Sequence, residues 1–264
     1  VNGDTAMGTM LKYGSEGAKQ FYEMFVLNPE HSKAHQDGDI HIHDLDFLTM
    51  TTTCCQIDLI SLFKDGFSTG HGTLREPKYI SSYSALACIA IQSNQNDQHG
   101  GQSIANFDYG LALGVRKTFI GQYLDSMLQS LELINGYEDN GAVKTLHKRL
   151  LKEGLTLRIE DHDAFMEKEL EALKALGLNE DDVKKVQKYS LKNAVKHTDR
   201  DTYKAMVALV HNLNTMHSRA GAQTPFSAIN YGMYTSPEGR MVIKNVLLAL
   251  EAGLGNGETP IFPI

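Results

Sequence analysis

Gln223-Thr-Pro-Phe-Ser-Ala-Ile-Asn-Tyr231, then Ser236-Pro237-Glu238, then Thr259-Pro-Ile-Phe-Pro-Ile264 form the stretch whose pattern decides the fold class. The first run alternates like a strand. Ser236 reads as an N-cap with proline at the first helical position, and Val242, Val246 and Leu250 carry a helix to the glycine-rich stop Gly253-Leu-Gly-Asn-Gly257. The apolar, β-branched end then reads as a strand entering a core. Strand, helix, strand predicts a parallel pair joined by a right-handed crossover, and so an α/β protein.

Working back from that unit, most of the chain reads as helix. Ser15 is expected to cap a helix bearing Phe21, Met24, Phe25 and Leu27, which stops at Asn28-Pro29. The stretch Ser81 to Asn96 is rich in small residues with Leu86, Ile89 and Ile91 interleaved, which permits close packing on a neighbour, on its own copy in a dimer, or inside the core. Gly100-Gly101 interrupts it. Ile120, Tyr123, Leu124, Met127, Leu128, Leu131 and Ile134 recur every three or four residues and predict an amphipathic helix. The charged region from 137 to 200, with Glu167, Lys168, Glu169 and Glu171 around Leu170 and Leu173, is expected to present solvated helix faces. A further helix carries Met206, Leu209, Val210 and Leu213, and Lys64-Asp-Gly-Phe-Ser-Thr-Gly-His-Gly72 reads as a mobile loop.

Composition narrows the partners. The 264 residues are 42% hydrophobic and 22% charged, enough for a sizeable core. A net charge of -7 with no Lys/Arg-dense stretch argues against a general grip on nucleic acid, so a nucleotide partner is expected to be a small molecule. Three cysteines, Cys54, Cys55 and Cys88, make no disulfide framework, and no apolar run reaches membrane length. A cytoplasmic protein is the resulting expectation. Because the chain opens Val1-Asn-Gly-Asp without Met and closes on a core-like strand, both ends read as cut.

Chemistry is expected where Gly38-Asp-Ile-His-Ile-His-Asp-Leu-Asp46 precedes Cys54-Cys55. This run reads as a short strand or extended loop. His41 and His43 on one side of a strand, with Asp44 and Asp46 nearby, begin a divalent-metal site of the kind a barrel hydrolase uses. Such a site needs further ligands, and the remaining histidines have no ligand-like spacing. The other reading is that these side chains bond buried backbone and orient the next segment. Adjacent cysteines make a poor structural disulfide, because linking neighbours closes a strained small ring. The residues alone leave Cys54 and Cys55 as either packing groups or reactive thiols.

Six pieces in order resemble the anaerobic (class III) ribonucleoside-triphosphate reductases: the Gly38–Asp46 run with Cys54-Cys-Gln-Ile-Asp-Leu59, Glu76-Pro-Lys-Tyr-Ile80, Gly100-Gly101, Asn214-Thr215, Gln223-Thr-Pro-Phe226 and Thr259-Pro-Ile-Phe-Pro263. The resemblance implies the N-terminal half of a catalytic domain spanning residues 1 to 264, a helix-rich and incomplete part of the ten-stranded α/β barrel of glycyl-radical enzymes. A regulatory ATP-binding domain and the C-terminal glycyl-radical region would lie outside it. The implied reaction replaces the ribose 2'-hydroxyl of a ribonucleoside triphosphate by hydrogen. By the same likeness Cys54 would be a proton or hydrogen donor facing the sugar in a nucleotide-sized hollow, with Cys55 a packing neighbour. His41, His43 and Asp44 would orient the substrate and hold no metal. Lys78, at the start of a helix resembling the family's dimer helix, would meet the phosphate of a dNTP or ATP effector. The implied reductant is formate or a thioredoxin-like protein, and the implied partners are a radical-SAM activating enzyme and a second copy of the chain. Neither the thiyl-forming cysteine nor the radical glycine has a counterpart here, so the chain alone is expected to be inactive. One residue more than the family's usual Asn-Gly-Gln-Thr-Pro-Phe stands in Gly221-Ala222-Gln223. Two other classes remain: a metal-dependent hydrolase centred on His41 and His43, and a non-catalytic nucleotide-sensing oligomerisation module built on the Ser81–Asn96 helix.

Overall fold

A computed structural model describes residues 5–219 and 221–260, with only the backbone of Asn135. Nine α-helices and five short strands are present among the described residues. The helix α1, Ala6–Phe21, starts well before the expected Ser15: the Thr5 hydroxyl accepts from Gly8 N at 3.0 Å and caps it. Ser15 sits inside α1 and donates to Asp46 instead, at 2.6 Å. A π-turn, Tyr22–Val26, leads to α2, Pro29–Asp37, which Gly38 closes in the left-handed region at φ 84°. The Gly38–Asp46 run is then a loop, the second of its two expected forms, ending in a 3-10 turn at Leu45–Phe47.

Three parallel strands, β1 (Cys55–Ile57), β4 (Gln102–Ile104) and β5 (Ser227–Ile229), lie in sheet order β1-β4-β5 with Cys55, Gln102 and Ser227 in register. Parallel neighbours require long crossovers. The first crossover runs through α3 (Leu59–Lys64), the antiparallel ribbon β2 (Phe67–Ser68) and β3 (Thr73–Leu74), and α4 (Ile80–Asp97). The expected loop, residues 64 to 72, thus holds β2 and the turn to β3, and Gly66 at φ 75° passes so close to Leu74 O that a Cβ would lie 2.1 Å from it. The second crossover holds α5 (Phe107–Asn135), α6 (Asn140–Lys152), α7 (Asp163–Ala175) and α8 (Glu180–Thr215). After β5 comes α9 (Pro237–Ala252), capped by Ser236 with proline in its first turn as expected. The strand expected over Thr259–Ile264 falls mostly on residues outside the described ones.

Two apolar clusters share α5. One gathers Tyr83, Ala87 and Ile91 of α4, Val115 of α5, Leu209 and Leu213 of α8 and Val246 of α9 under the sheet. The other joins Tyr123 and Met127 of α5 to Leu150 of α6, Phe165 of α7 and Val186 of α8. The expected stripe on α5 is real, with Tyr123, Met127 and Leu131 buried, while Ile134 at its end is exposed. The small residues of α4 divide: Ser84 and Ala87 are buried, with Ser84 donating to Ala205 O of α8 at 2.9 Å, whereas Ser81 and Ala85 are exposed. The charged region holds α6, α7 and the first part of α8, and α8 runs on without a break into the helix expected after it, as one element of 36 residues without glycine or proline and about 54 Å long. Glu169, expected in solvent, is fully buried on α7. Among the described residues no helix is long and apolar enough to cross a membrane.

Candidate active site

The residues that precede the three parallel strands meet at one edge of the sheet. Cys54 stands just before β1 with its thiol exposed, whereas Cys55, the first residue of β1, is partly buried. Asn94 of α4 donates to the Cys55 sulfur at 3.0 Å and to Gln102 Oε1 at 2.9 Å, and Gln102 donates onward to Ile91 O at 2.9 Å. Burial, and to a lesser degree the neighbouring Cys54, pushes the Cys55 thiol above its ordinary value, against the Asn94 hydrogen bond. Cys55 is therefore the held member of the pair, and Cys54 the accessible one. Gly100, at φ 96°, lies against the Cys54 segment: a Cβ there would stand 1.7 Å from Thr53 O and 3.3 Å from Cys54 Sγ. Gly101 lies beside Phe226, the residue before β5, where an added Cβ would stand 2.9 Å from the ring. The glycine pair lets the segment before β1 approach the turn on one side and the segment before β5 on the other.

The histidine and aspartate loop reaches the same place through one carboxylate. Asp44, in the left-handed region at φ 52°, pairs through Oδ2 with His43 Nδ1 at 2.8 Å and through Oδ1 with His99 Nε2 at 2.9 Å. His99 stacks on Phe47 with ring centroids 4.2 Å apart, and its next residue is Gly100. Asp44 thus connects to the Cys54 turn, while His43 keeps 79% of its side chain in solvent and His41 is also exposed. Their rings lie edge to face, centroids 5.8 Å apart. Among the described residues no three His, Cys, Asp or Glu side chains gather as a metal-holding group.

A hollow of about 800 Å³ opens beside this turn, lined by Leu11 and Ser15 of α1, Asp46 and Phe47 of the loop, and His99 and Arg219. Its size is that of a small-molecule site. Cys54 does not itself line it; the thiol stands next to Gly100, one residue beyond the hollow's wall at His99. Lys78 is exposed two residues ahead of α4, next to Tyr79, which lines a second hollow of about 330 Å³ between α4, α5 and α8. His99 and Arg219 are not among the residues that the sequence motifs single out. His99 could have been found by its place directly before the glycine pair, whereas Arg219 carries no local signal.

These features define an α/β protein whose accessible thiol stands at the head of a parallel sheet, beside a ligand-sized hollow. The chain belongs to the family described as anaerobic ribonucleoside-triphosphate reductase, whose profile matches residues 1–264, and this is the family its motifs resemble. It is 27% identical over 249 residues to the anaerobic ribonucleoside-triphosphate reductase of Enterobacteria phage T4, covering 93% of this chain and 31% of that protein. The proteins of the same name from Salmonella typhimurium and Escherichia coli K12 are each 26% identical over 249 residues, covering 93% of this chain and 27% of theirs. The chain therefore spans less than a third of the length of these relatives.

Proposed function

We propose that this chain forms the Cys54 side of the active site of an anaerobic ribonucleoside-triphosphate reductase, within the ten-stranded barrel of which β1, β4 and β5 are part. Family membership supports the reaction class. The observation that carries the residue assignment is the accessible Cys54 thiol, held against Gly100 at the meeting point of three strand entries. Bound against this edge, the ribose presents its 2'-hydroxyl to Cys54. The Cys54 thiol gives its proton to that hydroxyl, which leaves as water; the hydrogen and two electrons that replace it at the carbon come from formate, released as carbon dioxide, or from a dithiol of a thioredoxin-like protein, left as its disulfide, and Cys54 is then reprotonated. A thiol suits the task because it holds its proton near neutral pH yet releases it readily. A glycyl radical, set up by a radical-SAM activating protein, would supply the radical chemistry of the whole enzyme by way of a thiyl-forming cysteine outside this chain.

In this reading His41, His43 and Asp44 orient the substrate from the loop, and Lys78 contacts an effector phosphate beside the smaller hollow. Asp44 works indirectly, since both of its oxygens are engaged by imidazoles. A saturating ribonucleoside triphosphate is expected to slow alkylation of Cys54 in the purified protein while leaving Cys88 untouched. Equal Cys54 rates with and without nucleotide would remove the thiol from the substrate site.

A further inference from the structure

Arg219 makes an unusual set of contacts for an arginine beside a ligand-sized hollow. Its Nε donates to Gln95 O at 3.0 Å, Nη2 to Gln95 O and Gln98 O, and Nη1 to Gln223 Oε1 at 3.3 Å. Among the described residues no carboxylate pairs with it, and burial draws the guanidinium below its ordinary value. Two of the three acceptors are carbonyls at the end of α4, where a helix leaves its last oxygens unpaired and its dipole favours a cation. The planar fork serves several acceptors at once, which an ammonium group does not.

What those carbonyls belong to gives the contact its meaning. Gln98 opens the turn Gln98–Gly101, and its side chain donates to Gly101 O at 3.3 Å. The same Gly101 oxygen accepts from Cys55 N at 3.2 Å, and Gly100 lies against Thr53 O and Cys54 Sγ. At the other flank of the turn Asp44 holds His99. Arg219 also belongs to the segment entering β5: it bridges Gln223 through the backbone, and Gln95 donates to Thr224 O at 3.2 Å. One side chain thereby ties the approach to β5 to the turn that abuts the thiol.

We propose that Arg219 is a positioning residue for Cys54, acting through the Gln98–Gly101 turn and opposed across it by the Asp44–His99 pair. The proposal rests on the Cys54 assignment above but fails separately from it. A plain helix-capping role would be restored by any cation, so Arg219→Lys discriminates. Site-resolved alkylation by iodoacetamide, read by peptide mass spectrometry, measures Cys54 directly, with buried Cys88 reporting an intact fold. Release of the turn is expected to raise the Cys54 rate at least about three-fold in both Arg219→Lys and Arg219→Gln, with Cys88 still protected. A wild-type Cys54 rate in Arg219→Lys with Cys88 protected would overturn the proposal. If Arg219→Gln exposes Cys88, Arg219→Lys decides alone, and exposure of Cys88 in both would make Arg219 a general prop of the fold and also overturn it. Full turnover by Cys54→Ser would instead sink the thiol's chemical role and leave the alkylation result standing.

Discussion

Gly100 is held by two constraints at once: a left-handed φ of 96° and a backbone neighbour, Thr53 O, with no room to withdraw. Gly100→Ala should therefore destabilise the protein by about 3 kcal/mol or more, read from urea unfolding midpoints. A loss below about 0.5 kcal/mol would show that the turn relaxes freely. Cys88 makes a pH-dependent case. Burial pushes its thiol from 9.0 up to about 11, against a hydrogen bond from Asn212. The folded state therefore holds this proton more tightly than the unfolded one. The resulting stability is complete below pH 9 and is lost between pH 9 and about 11, at about 1.4 kcal/mol per pH unit at most. Cys88→Ala should flatten that part of the alkaline stability profile, and an unchanged slope would assign it to other groups. At this scale the adjacent cysteines and the glycine pair were legible in the sequence. Arg219 and the Asp44–His99 contact were not, because their partners are 121 and 55 residues away and only folding brings them together.

The α5, α6, α7 and α8 helices enclose a polar knot in an apolar setting. Glu169 pairs with His147 of α6, and accepts from Tyr123 of α5 and from Gln187 of α8, the last two at 2.7 and 2.8 Å. Burial first, and the Glu169 charge second, hold the Tyr123 phenol well above its ordinary range, so it remains a donor. Tyr123→Phe deletes one donor while leaving the ring, and should destabilise by about 1–3 kcal/mol in chemical denaturation. A neutral effect would show that Glu169 is satisfied without it. The burial of Glu169 was readable in its spacing: Phe165, Glu169 and Leu173 fall on one side of α7, four residues apart, and all three are buried. Charge density misled, because surrounding lysines and glutamates do face water. A similar misreading split α8, whose solvated first half and apolar second half looked like two helices. The absence of any glycine or proline between Glu180 and Thr215 was the better guide to its continuity. Conversely α4 gave its small residues plainly, but not whether they would meet α8 or a second copy of the chain.

At the scale of the molecule, the α/β class followed from Gln223 to Gly257, since β5 and α9 fall where alternation and the Ser236-Pro237 cap put them. The parallel partners of β5 were harder to read, because three-residue strands separated by long helical crossovers leave almost no alternation to detect. The proposed effector site is also a whole-molecule matter, since it couples a nucleotide beside Lys78 to assembly of two chains. Sedimentation with and without a deoxynucleotide should show nucleotide-promoted dimers that Lys78→Ala weakens. Identical behaviour of the two proteins would end the assignment of Lys78. The thiol at the head of β1 is the group on which the proposed chemistry depends. Deoxynucleotide formation by the anaerobically activated full-length enzyme carrying Cys54→Ser is the most direct test. Loss of turnover, with the fold intact and nucleotide still bound, is the expected result, and production at the wild-type rate would contradict it.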